Sequence, residues 1–160
     1  MWIKSNFATS CCKISYRIIY CFLLSSSGLS RVIKVVYHVK IYLKEEDLLK
    51  DTDFPIIAHL NEASNSDFIL FLQNLNNGTG SCYEYTCSNF WDDLDEYDKS
   101  QIEKFEGLEI GTQADEEIIL SYDDLLYYIK LIRKRIITDK ESAGVLDKLI
   151  SNLSKKYVEK

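Results

Sequence analysis

Residues 90–98, FWDDLDEYD, place Asp92, Asp93, Asp95, Glu96 and Asp98 within nine positions, interleaved with Phe90, Trp91 and Tyr97. Carboxylates this dense repel one another, which opposes compaction. Such a cluster can hold a metal, solvate a loop, or present to a basic partner the charge it would otherwise take from an anion. A calcium loop needs oxygen ligands at positions one, three and five, Gly at six and Glu at twelve. Counted from Asp93, those last three positions hold Tyr97, Asp98 and Lys104. The calcium pattern fails, and no metal site is assigned.

Other chemistries fare no better. The two histidines, His38 and His59, have no Cys or His at zinc-ligand spacing. His59 in IIAHLNE reads as a satisfied or half-exposed histidine rather than a base. Cys82 and Cys87 have opposite parity and on one strand would face opposite sides. They are expected to be two reduced thiols, and nothing local marks either as a nucleophile activated by His59. EIGTQAD lacks the lysine of a phosphate-cradling loop. A carboxylate pair for glycoside hydrolysis is not identifiable among acids this dense. No cofactor is implied.

The elements that must carry these residues follow from composition and periodicity. At 160 residues with 46% hydrophobic content, the chain can bury a core without staples. Its net charge of −6 is unevenly spread. Residues 1–44 hold seven bases and no acid, residues 92–124 carry net −11, and residues 125–160 carry net +5. The −11 stretch argues against a nucleic-acid partner, which demands a basic face. It points to a basic protein partner.

Residues 1–44 are expected to form a basic leader outside the fold. Three readings stay open for them: an over-extended start, a weak signal-like or membrane-contacting segment in YRIIYCFLLSSSG, or an extra strand in VVYHVKIYLK. The domain is expected over 45–160. SNSDFILFLQNLNNGTG predicts a helix capped by Ser64 or Ser66 and stopped at Gly78. CYEYTCSNFW predicts a strand and the acidic stretch a loop. FEGLEIG and EEIILS predict a hairpin, with Leu108, Ile110, Ile118 and Leu120 inward. Ser121 predicts the cap of a helix burying Leu125, Tyr128, Ile129, Ile132 and Ile136. Thr138 with Glu141 predicts the cap of a last helix burying Val145, Leu146, Leu149, Ile150, Leu153 and Tyr157. FPIIAHLNE stays ambiguous. Helices on both sides of a small antiparallel sheet predict an α+β class, with three or more helices in one domain.

FPIIAHLNEASNSDFILFLQNLNNGTG, a following Cys with aromatics, an acidic loop, FEGLEIG, EEIILSYDDLLYYIKL and a last helix occur in that order. Over residues 54–158 the chain resembles the immunity proteins of contact-dependent growth inhibition systems, in the family paired with ribonuclease toxins. Residues 105–132 carry the most specific part. Leu125 and Leu126 depart from it, where the family tends to an aromatic. The resemblance implies a cytoplasmic, non-enzymatic protein, monomeric or weakly dimeric. It would bind the C-terminal toxin domain of its cognate system, a basic nuclease, without nucleic acid, stable membrane association or cofactor. Charge complementarity then nominates Trp91, Asp92, Asp93, Asp95, Glu96, Tyr97 and Asp98 as the toxin-binding segment, followed by Glu106, Glu109, Asp115, Glu116 and Glu117. A solvated loop is the bland alternative for that segment. A small carboxylate-based hydrolase and a general acidic adaptor are the alternative functions.

Overall fold

The computed structural model describes residues 16–23, 31–38 and 40–159. Contacts divide the chain into two units, Met1–Ile41 and Tyr42–Lys160. In the first, β1 (Tyr16–Leu23) pairs antiparallel with β2 (Arg31–His38), in a register running from Tyr16↔His38 to Leu23↔Arg31. Aromatic and β-branched residues, which favour pleated backbone, make up five of the eight residues of each strand. Of the three readings left open for this segment, the strand in VVYHVKIYLK is present as far as His38 and stops short of Ile41 and Leu43. Cys11, Cys12 and the last five residues of the signal-like segment, 24–28, lie outside the described residues.

The second unit is an α+β domain whose four-stranded antiparallel sheet has the order β3-β4-β5-β6. It begins with a segment tied to a helix. The N–H groups of Tyr42 and Leu43 both donate to Asn61 Oδ1, at 2.8 and 2.9 Å, and Asn61 Nδ2 donates to the Leu43 carbonyl at 3.0 Å. Leu43 is fully buried among the core residues of this unit. Arg135 grips the same segment with a fork of two hydrogen bonds to Asp47, at 2.6 and 2.7 Å, and another to the Tyr42 carbonyl. That guanidinium holds the Asp47 carboxyl below its usual pKa.

FPIIAHLNE resolves as helix. Pro55 occupies the first turn of α1 (Phe54–Ser66), where its missing N–H costs nothing. Asp53 precedes α1 without capping it by its side chain. Its buried carboxylate instead accepts the Tyr128 hydroxyl at 2.8 Å, and that hydroxyl accepts the Leu49 N–H at 2.7 Å. Because α1 runs to Ser66, neither Ser64 nor Ser66 is available as the cap of α2 (Phe68–Asn77). Ser64 donates to the Leu60 carbonyl, and Asp67 caps α2 by accepting the Leu70 N–H at 3.0 Å. Gly78 closes α2 in the left-handed conformation, φ 78°.

CYEYTCSNFW is not one strand. It doubles back as a hairpin, β3 (Ser81–Cys82) and β4 (Thr86–Asn89), closed where the Tyr83 N–H donates to the Thr86 carbonyl at 2.8 Å. The turn corrects the expectation of free thiols. Cys82 and Cys87 become direct cross-strand partners, Cα–Cα 4.0 Å, and form a disulfide. Parity separates two cysteines only while the chain between them stays extended.

The hairpin β5 (Leu108–Thr112) and β6 (Glu117–Leu120) appears as expected, with Leu108, Ile110 and Leu120 buried and Ile118 half-buried. Gly107 precedes it at φ 131°, where a β-carbon would overlap the Leu120 carbonyl. The acidic stretch is not a bare loop. It forms a 3-10 turn over Trp91–Asp93 and a short helix, α3 (Glu96–Gln101).

Ser121 caps α4 (Tyr122–Arg135) by accepting the Asp124 N–H at 3.2 Å. In α5 (Lys140–Tyr157) the cap is Asp139 rather than Thr138, accepting the N–H groups of Glu141 and Ser142 at 3.0 Å each. The buried stripe is Leu146, Ile150 and Leu153. Val145 lies about 100° around the helix from Leu146 and is exposed rather than buried. The layers then close: α1 packs on β4 and β5, while α5 packs on α2 and α4. Only one face of the sheet is lined with buried residues.

Candidate functional site

Phe90 anchors the start of the acidic segment. Its buried ring stacks on Tyr157 and Tyr122, with centroids at 5.9 and 6.4 Å, and those two tyrosines stack on each other at 4.3 Å. Trp91 turns the other way and lies half-buried, edge-on to Phe105 at 5.6 Å. Two of the five carboxylates are committed to the backbone. Asp93 Oδ2 accepts the N–H groups of Gly80 and Phe90, at 2.7 and 2.9 Å, tying the segment to the start of β3. Asp95 caps α3, accepting the Asp98 N–H at 2.8 Å. That leaves Asp92, Glu96 and Asp98 exposed, and among the described residues their one cationic contact is Lys99 to Glu96 at 3.8 Å. Tyr97 stands beside them 72% exposed.

The remaining sequence-predicted acids fall near the sheet. Burial first, then the neighbouring Tyr157, Glu106 and Asp92, push the Tyr122 hydroxyl above its usual pKa, so Glu106 belongs to the surroundings of the acidic segment. Glu109 and Glu117 share the face of the sheet that carries no buried residues. Asp115 and Glu116 form the β5–β6 turn, where Asp115 adopts φ 59°, a conformation Asp tolerates better than most residues. The structure therefore sorts the twelve predicted residues into a segment around Trp91–Asp98 and a group on the open sheet face and its turn.

A groove of about 290 Å³ opens on that face, between the β3–β4 turn and strands β4 to β6. Glu84 and Tyr85 belong to it alongside Glu109 and Glu117. Sequence reasoning passed over both, because CYEYTCSNFW read as a single strand hides the turn that places them there. Gln113 secures the turn: its N–H donates to the Tyr85 carbonyl at 3.0 Å and its side chain to the Glu84 carbonyl at 2.7 Å.

Charge over the middle two-thirds of the domain sequence is nearly all of one sign. Residues 51–129 contain eighteen Asp and Glu and only two bases, Lys99 and Lys104, a net −16. Among the described residues, Asp92, Asp98, Glu106, Glu109, Asp115, Glu116 and Glu117 have no ion-pair partner.

Beneath the sheet lies a relay of polar groups. His59 is fully buried; its Nδ1–H donates to Thr86 Oγ1 at 2.9 Å, and the Thr86 hydroxyl donates to Glu62 Oε2 at 2.7 Å. Nε2 has no hydrogen-bond partner, and the ring contacts Phe71 and Tyr83, centroids at 5.7 and 5.3 Å. Burial lowers the His59 pKa to about 4, so the ring is neutral. With Cys82 and Cys87 bonded to each other, neither is a thiol for it to activate.

This imidazole carries a pH prediction. The unfolded chain binds a proton there below about pH 6.5, whereas the folded chain binds it only near 4. Stability is then fully present above about pH 6.5 and falls as pH drops to about 4, by roughly 3 kcal/mol. Asp47 and Asp139, whose pKa values are lowered from 3.8, act below this window. Urea unfolding at pH 7 and pH 4.5 is expected to show the loss in the wild type and little of it in His59→Asn. An equal loss in both proteins assigns it elsewhere.

No described helix is long and apolar enough to cross a membrane. No curated protein and no solved structure matches the chain significantly. A family model of the CDI immunity proteins matches residues 33–144. The match reaches from within β2 into the first turn of α5 and takes in every acidic residue singled out above. It begins upstream of residue 54, so part of the basic leader lies within the family's own span. Covering well over half of the sequence, it places this chain in the CDI immunity protein family.

Proposed function

We propose that the protein neutralises a ribonuclease toxin of its contact-dependent growth inhibition system by binding it, without catalysis, in the cytoplasm. The observation that carries this reading is the −16 over residues 51–129, much of it on exposed carboxylates without cationic partners. A ribonuclease must attract phosphate and so presents a basic cleft. An acidic surface complements such a cleft and steers encounter with it, raising association rates towards about 10⁸–10⁹ M⁻¹s⁻¹ at low salt. Speed matters to a protein that must intercept a toxin before it reaches RNA. The segment Trp91–Asp98, with its exposed Tyr97, is the leading contact, and the protein acts as a monomer or weak dimer.

The test is co-purification with the toxin domain encoded beside it, followed by an RNA-cleavage assay with increasing immunity protein. Expected is a stable complex and loss of cleavage at one equivalent. Absence of any complex overturns the reading. Inhibition at far below one equivalent overturns the non-catalytic part of it.

A further inference from the structure

We infer that the open face of the four-stranded sheet is a second docking surface, whose groove receives an arginine side chain of the protein partner. This rests on the binding function proposed above and names a contact distinct from the acidic segment. Strand alternation builds it. Ser88, Leu108, Ile110 and Leu120 turn into the core, so Cys87, Asn89, Glu109, Gly111 and Glu117 turn out. In register, Gly111 sits between Cys87 on one strand and Glu117 on the other, while Glu109 lies between Asn89 and Ile119.

Gly111 makes the groove. A β-carbon at this position would meet only Glu117 Cγ, at 3.7 Å, so the space above the strand is open. No unusual φ requires glycine there. The room left by the missing side chain is floored by backbone and bordered by Glu109 and Glu117, neither with an ion-pair partner among the described residues. Glu109 is already oriented, accepting from Asn89 Nδ2 at 3.2 Å. Tyr85, 49% exposed, stands on the groove's border, and Ile119, 56% exposed, lies beside Glu109. Two carboxylates without an ion-pair partner among the described residues, flanking a groove on the sheet face, are complementary to a guanidinium, whose planar fork can reach both. An ammonium offers a single point charge where the guanidinium offers a fork. Nucleic acid is repelled by the same charge. The turn that carries Tyr85 is held by Gln113, so the groove is ordered before binding and little ordering entropy is lost on docking.

The experiment measures binding kinetics of the cognate toxin domain to wild type, Gly111→Leu, Glu109→Gln/Glu117→Gln and Asp92→Asn/Glu96→Gln/Asp98→Asn, each checked for folding by circular dichroism. Gly111→Leu fills the groove without adding charge and is expected to weaken binding at least about 100-fold, chiefly through faster dissociation. Glu109→Gln/Glu117→Gln is expected to weaken it at least about 10-fold, and decides the matter if the leucine variant does not fold. The triple amide variant slows association only. Folded Gly111→Leu binding within threefold of wild type overturns the groove and leaves the immunity function standing. A wild type that does not bind the toxin at all overturns both.

Discussion

A chain beginning at Glu45 is expected to unfold several kcal/mol more easily than one beginning at Tyr42, which should match the Tyr42–Lys160 unit of the full chain. The charge boundary between the basic leader and the rest falls after Lys44, but the compact unit starts at Tyr42. Cutting at 45 removes Leu43, which is fully buried, and emptying such a site costs about 2–5 kcal/mol. It also strips Asn61 of three hydrogen bonds and Arg135 of the Tyr42 carbonyl. Asn61 is half-buried and Arg135 exposed, so water replaces part of what is lost, and each missing bond costs about 0.5–1.5 kcal/mol at most. Leu43→Ala in the full chain isolates the packing part, with the backbone bonds kept. Denaturant midpoints of the four proteins decide it. Equal midpoints for the chains starting at 42 and 45 would show that Leu43 contributes nothing to the fold.

The same residue shows where sequence reasoning reached and where it stopped. Helix faces and the β5–β6 hairpin follow from local periodicity, and α2, α4 and that hairpin are where periodicity puts them. Leu43 has no periodic neighbour on its own element: its burial depends on Asn61, eighteen residues away. The caps differ from the expected ones for a related reason. Ser66 and Thr138 are sound caps by type, but an adjacent aspartate took each role, Asp67 because α1 extends to Ser66 and Asp139 by accepting two N–H groups. The disulfide and the groove were hidden by one turn. Tyr83-Glu84-Tyr85 carries no Gly, Pro, Asn or Asp to announce a reversal, so only the closed hairpin brings Cys82 to Cys87 and Tyr85 to Gly111. The acidic segment, by contrast, was plain as charge, but charge alone did not distinguish the carboxylates that bind backbone from those facing solvent.

That distinction shapes the strongest test of the leading contact. Asp93 and Asp95 accept backbone N–H groups, and altering them loosens the segment itself. Asp92, Glu96 and Asp98 hold no such bond, so their amides remove charge while leaving the turn and α3 in place. The variant Asp92→Asn/Glu96→Gln/Asp98→Asn should be no less stable than wild type, because like-charge repulsion is relieved. Its association with the toxin domain should slow by about 10- to 100-fold at low salt, with dissociation little changed. The salt dependence of association should also flatten, since exposed charges are screened beyond about 8 Å at physiological ionic strength. The two aromatics part company. Trp91 packs on Phe105, so Trp91→Ala costs stability as well as binding. Tyr97 is 72% exposed with no ring contact among the described residues, so Tyr97→Ala leaves the fold intact. If the ring is buried by the toxin, its loss raises the dissociation rate by about 30-fold, equivalent to roughly 2 kcal/mol. A triple amide variant that associates as fast as wild type at low salt would reduce the segment to a solvated turn. Steering would then rest on the carboxylates of the open sheet face and the Asp115–Glu117 turn.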